Sequence, residues 1–132
     1  MKAMALSAAA IIIVCALATA GAQQSEPYSG HGDYQAYCSP CHGVIAHGDG
    51  TIAKSLKKRP ADLTQLTKRN DGVFPSDRVF KTIDGRKGAG HDDMDMPRWG
   101  EVFGKSSESA SPEQTAQRIG TLVKYLDTLQ AR

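Results

Sequence analysis

An all-α fold is predicted by three observations. No stretch of the 132-residue chain alternates apolar and polar residues as a half-buried strand does. The last segment repeats Ile119, Leu122, Val123, Leu126 and Leu129 at helical spacing behind a capping start. Elsewhere, short apolar stripes open on serine or aspartate and stop at glycine.

The chain opens on a targeting signal. Met1 and Lys2 form a basic start, Ala8 to Ala18 is a small-apolar run, and Ala18-Thr19-Ala20 and Ala20-Gly21-Ala22 offer small-residue exits. That order describes a secretory signal peptide over 1–22, cleaved after Ala22 or, alternatively, Ala20. The apolar run is short for a retained membrane span. Cys15 follows Val14, a poor fit to the small residue a lipoprotein site wants, so it leaves with the signal. Export to a bacterial periplasm is expected, with no stable membrane insertion of the mature chain.

Residues 23–29 read as a polar, flexible leader and 30–132 as one domain with a modest core. Only 6% of residues are aromatic, which leaves the apolar material thin for a domain with many loops. A large buried apolar cofactor would supply what the side chains lack. The formal charge of +2 is nearly neutral, so nothing points to nucleic acid.

Within the domain, Gly30 to Ser39 is expected to form a short helix capped by Ser29, with Tyr34 and Tyr37 close to one face. Gly43 to Gly50 reads as loop. Thr51 to Lys58 carries Ile52, Ala53 and Leu56 at helical spacing but stops before Pro60. "PADLTQLTKRNDG" predicts a turn and then a helix, with Asp62 or Thr64 as cap, Leu63 and Leu66 inward, and Gly72 at the end. "FPSDRVFKTIDGR" repeats that grammar with Ser76 as cap, Val79, Phe80 and Ile83 as the buried stripe, and Gly85 as the stop. Residues 85–98 and 105–111 read as loop and polar linker. Ser111-Pro112-Glu113-Gln114 then starts the clearest helix, with proline at the first helical position and glutamine at the third.

The stretch that carries chemistry is "YCSPCHG", Tyr37 to Gly43. A dithiol oxidoreductase would set C-x-x-C between a strand and a helix, and no strand precedes Cys38. A structural zinc site needs four ligands, but there is no second cysteine pair and His31, His47 and His91 are scattered. Haem attachment asks only for what is present: two thiols about one helical turn apart to add across two vinyl groups, and His42 beside them as an axial ligand. A simple disulfide stays open as the alternative.

With these residues in place, the mature chain resembles a small mono-haem class I cytochrome c of bacterial periplasms. Gly30 and Tyr34 stand eight and four residues before Cys38, where that family has a glycine and an aromatic, and Tyr125 in "LVKYLDTL" matches its C-terminal aromatic. The resemblance implies a cytochrome c fold: N- and C-terminal helices that cross at the glycine, with loops and short helices around one covalent haem c. It implies Cys38 and Cys41 as the attachment points, His42 as proximal ligand and Met96, in "MDMPRWG", as the distal one. A soft thioether favours Fe(II) and raises the potential, and Pro97 would stiffen the loop that presents it. Met94 and His91 are the rivals for that position, and His47 lies close to the proximal side in sequence.

The family often orients its proximal histidine with a proline carbonyl, and Pro60 is the loose match. Trp99 either packs on the haem edge with its indole N–H at a propionate or is a simple core tryptophan, and Arg98 and Arg59 are exposed by default, with pairing to propionates as the alternative. Lys54, Lys57, Lys58 and Arg59, with Lys68 and Arg69 further on, read first as a solvated basic face; they would steer an acidic redox partner if they ring the exposed edge. Asp92, Asp93 and Asp95 lack the spacing of a calcium loop and read as a solvated acidic loop. The function expected is one-electron transfer between partner proteins, with no substrate chemistry. A permanent haem subunit of a dehydrogenase or oxidase, an open-iron enzyme or sensor, and a haem-free thiol oxidoreductase are the alternatives.

Overall fold

The computed structural model describes residues 28–86, 95–105 and 111–131. The signal over 1–22, Cys15, most of the leader, and His91, Asp92, Asp93 and Met94 lie outside the described residues. Among the described residues the structure is all-helical, without strands.

The first helical path runs unbroken from Gly30 to His42 as α1 (Gly30–Asp33), a π-helical turn (Tyr34–Cys38) and α2 (Ser39–His42). Ser29 caps it as expected, its Oγ accepting from the Gly32 amide at 3.0 Å. The widening has a local cause. Pro40 has no N–H to offer the preceding turn and its ring crowds the carbonyl there. The Ser39 hydroxyl compensates by donating to the Gln35 carbonyl at 2.7 Å.

Helices α3 (Ser76–Asp84), α4 (Trp99–Lys105) and α5 (Pro112–Thr128) complete the frame. The α3 stripe buries Val79 and Ile83, and Gly85 ends the helix in a left-handed conformation. Its cap is corrected: the Pro75 carbonyl accepts the first bond of the ladder, from the Val79 amide at 3.0 Å, so Pro75 is the cap and Ser76 is already helical. The α5 prediction holds in detail. Ser111 accepts from the Gln114 amide while the Gln114 side chain accepts from the Ser111 amide, closing a capping box. Ile119, Leu122 and Leu126 are buried along its inner face, each contributing about 1.5–3 kcal/mol.

Two expected helices are shorter and tighter. Over 51–58 only a 3₁₀ turn forms, Ala53–Ser55, and over 62–72 two more, Leu63–Gln65 and Lys68–Asn70. Asp62 does cap the second stretch, its Oδ1 accepting from the Thr64 amide at 2.9 Å and from the Thr64 hydroxyl at 2.6 Å. Its backbone is committed elsewhere, however: the Leu63 amide donates to Ala46, and the Gln130 side chain and the Ala131 amide bind Leu63 and Thr64 carbonyls. Tertiary hydrogen bonds replace the helical ladder.

The N- and C-terminal helices meet closely at Gly30. A Cβ there would run into the Thr121 carbonyl oxygen of α5, so no larger residue allows this approach. Tyr125 packs its ring 5.3 Å from His31 and 5.4 Å from Tyr34 beside that contact. No described helix is long and apolar enough to cross a membrane.

Candidate functional site

The helical path from Gly30 delivers Cys38, Cys41 and His42 to one mainly apolar cleft of about 300 Å³. Leu56, Leu63 and Leu66 line it from the connecting turns, Val79 and Ile83 from α3, and Leu122 and Leu126 from α5. Met96 and Trp99 reach the same cleft from the segment that leads into α4. Every helix of the frame except α1 therefore lends it a residue.

Cys38 and Cys41 are not joined in a disulfide. Burial pushes the Cys38 thiol up to about 12, with Asp33 and Cys41 adding to the shift. Cys41 is raised as well, by burial first and then by Asp95. Both thiols are held protonated, the reverse of the lowered pKa that makes a dithiol reactive.

His42 has a fixed role for one ring nitrogen. Its Nδ1 stands 3.0 Å from the Ala61 carbonyl oxygen. A carbonyl only accepts, so Nδ1 carries the proton and Nε2 keeps its lone pair. Burial lowers the His42 pKa, partly opposed by that bond, which favours the neutral, ligating form. The orienting carbonyl is Ala61, one residue beyond the expected Pro60. The Pro60 carbonyl instead faces Gly48, where a Cβ would meet it.

The backbone around His42 is pinned repeatedly. Gly48 and Gly50 amides donate to the His42 and Cys41 carbonyls at 2.8 and 3.1 Å, and Ile52 donates to Pro40 at 3.0 Å. The buried Tyr34 hydroxyl donates to the Gly43 carbonyl at 2.7 Å. The loop expected over 43–50 is thus a fixed support for the histidine.

The other expected residues divide. Met96 packs against the core and lines the cleft. Trp99 is half-buried, lines the cleft and packs against Tyr37 and Phe103 at 5.5 and 5.4 Å. Arg98 is not on the lining: it is exposed and pairs with Glu101 at 3.7 Å, one helical turn away. Lys58 and Arg59 do border the cleft, while Lys68 and Arg69 do not. His47 stands 3.5 Å from Asp62.

Several contributors carried no sequence signal. Arg78 borders the cleft from α3. Asp33 and Arg118, 85 positions apart, form a two-pronged ion pair with bonds of 2.7 and 2.8 Å. Among the described residues, no three His, Cys, Asp or Glu side chains gather as a metal site of the protein alone. Comparison with family models, with curated proteins and with solved structures gives no match.

Proposed function

We propose that the chain is an exported one-electron carrier with a single haem c, attached through thioethers at Cys38 and Cys41 and ligated by His42 and Met96, in a cytochrome c fold. The observation that carries this reading is the shared cleft: two protonated thiols, a histidine with Nε2 available, and a thioether all line one apolar cavity. Attachment would add each S–H across one vinyl group, with no atom lost.

The residues present fit that group. The Nδ1–H···O bond to Ala61 fixes the imidazole tautomer and orientation, as an axial histidine requires. Apolar side chains from α3, α5 and the connecting turns would exclude water from the macrocycle. Lys58, Arg59 and Arg78 at the border suit the negative charge of propionates. When bound, haem supplies an Fe(III)/Fe(II) couple whose potential a thioether ligand raises. The helix contact at Gly30 and the flanking Tyr34 and Tyr125 agree with the family resemblance.

A second reading, a haem subunit held permanently in a larger periplasmic complex, draws on exposed Val44 and Ile45 in the His42 support loop, 68% and 62% accessible. Gel filtration of a native extract separates the two: a free carrier elutes as a monomer. The test of the ligand set is the spectrum of the holoprotein and of Met96→Ala. The far-red sulfur-to-iron charge-transfer band is expected in the oxidised wild type and absent from the variant, with haem content retained. A band that survives the substitution would remove Met96 from the iron.

A further inference from the structure

We infer that Arg118 is a positioning residue for Met96, setting where the methionine stands relative to the segment that carries Cys38. The inference rests on the haem reading above. It starts from α4, which is too short to define its own place: seven residues, two of them glycines at 100 and 104. What α4 packs against decides its position, and with it the position of Met96 just upstream.

At its start, Arg98 and Gly100 abut Gly85 and Asp84 at the end of α3; across the rest of the helix the packing converges on one guanidinium. Arg118 lies 4.1 Å from the centre of the Phe103 ring of α4 and 5.4 Å from that of Tyr37. Phe103 in turn packs at 5.4 Å against both Trp99 and Tyr37. Arg118 is itself immobilised, because its Nε and Nη2 donate to the two carboxylate oxygens of Asp33 at 2.8 and 2.7 Å. Both side chains are largely shielded, at 16% and 12% accessible. Asp33 lies five residues before Cys38 on the same helical path.

Arg118 therefore joins the segment bearing the attachment cysteines to the segment bearing Met96. On the upstream side, the Lys57 amide donates to Asp95 at 2.7 Å and tethers the methionine independently. Met96 is held between the two. Lysine at 118 would keep the charge but lose the fork that grips Asp33 and the flat face that covers Phe103. Met96 would then lose one of the contacts that place it and yield the iron more readily to a competing ligand.

The experiment is an imidazole titration of oxidised holoprotein, read at the sulfur-to-iron band, with haem content measured alongside. Arg118→Lys is expected to raise apparent imidazole affinity about tenfold, with one haem per chain retained. Phe103→Leu, which removes the ring beneath the guanidinium, is expected to shift affinity the same way. Val123→Ala, a core truncation on α5 at a residue that does not line the cleft, is the control: it lowers the melting temperature and leaves imidazole affinity unchanged. Wild-type affinity in both Arg118→Lys and Phe103→Leu, or an equal rise in Val123→Ala, would overturn the inference. A wild-type protein without haem, or a band that survives Met96→Ala, would overturn the functional reading and this inference with it.

Discussion

The segment around His42 and the segment around Met96 line the same cleft but are held by different forces. From Pro40 to Leu63 the backbone itself is tied: amides of Gly48, Gly50, Ile52 and Leu63 all donate to carbonyls of this region, and Ala61 returns a carbonyl to His42. From Asp95 to Lys105 the anchoring comes mainly from side chains, through Trp99 and Phe103 on Tyr37 and Arg118, with the Asp95 carboxylate on Lys57. Backbone hydrogen bonds survive most substitutions, whereas aromatic and ion-pair contacts vanish with one. The histidine side is built to be invariant. The methionine side can be tuned, or lost, by single changes.

The sharpest way to break this contrast is at Gly48. Its φ of 74° is left-handed, and a Cβ there would meet the Pro60 carbonyl and press on Ala61. Gly48→Ala is expected to cost about 3 kcal/mol from crowding and left-handed strain together. Denaturant unfolding checks it, and reduced haem incorporation should accompany the loss because the His42 orienter moves. A stability loss below 1 kcal/mol, as an order-of-magnitude bound, would mean that the support loop is softer than its hydrogen bonds imply.

Tyr34→Phe loosens the same side more gently. It removes the buried donor to the Gly43 carbonyl, at about 1–2 kcal/mol, and haem content should stay unchanged in the purified variant. Ser111→Ala lies outside both segments. Losing the capping box should lower stability by about 1 kcal/mol without shifting the sulfur-to-iron band, which isolates helix stability from ligand placement.

The smallest effect concerns acid. Hydrogen bonds from Thr64, with a lesser contribution from His47, hold Asp62 below its ordinary pKa of 3.8. A carboxylate with a lowered folded pKa adds stability above its unfolded value and loses it as the pH falls through the folded one. Acid unfolding of the wild type should therefore steepen below about pH 3.8, and Asp62→Asn should remove that part of the slope. The difference is expected to stay under about 1 kcal/mol, given the partial exposure of the pair.

What sequence reveals here follows the range of each interaction. The α5 start was legible because Ser111, Pro112 and Gln114 act within one turn, and the Gly30 helix because Ser29 caps it locally. That Cys38, Cys41 and His42 share one cleft is legible in "YCSPCHG" because they lie within about one helical turn of each other. The 3₁₀ turns near 53 and 63 look like helices in sequence because their apolar spacing is helical, while the bonds that engage their backbone come from afar: Pro40 for the first, and Ala46, Gln130 and Ala131 for the second. Helix α4 gave little signal, since Gly100 and Gly104 depress its propensity and Phe103 forms it only by packing. The shift from Pro60 to Ala61 was invisible because a backbone carbonyl leaves no side-chain trace. The Asp33–Arg118 pair is a tertiary fact with no local pattern.

The most direct test of the account is the intact mass of the protein exported with a haem-maturation system, set against the Cys38→Ser/Cys41→Ser double variant. The wild type is expected to carry the mass of one haem that survives denaturation, and the variant to carry none. A wild-type mass equal to that of the bare processed polypeptide would contradict the claim that these two sulfurs hold a cofactor in the cleft.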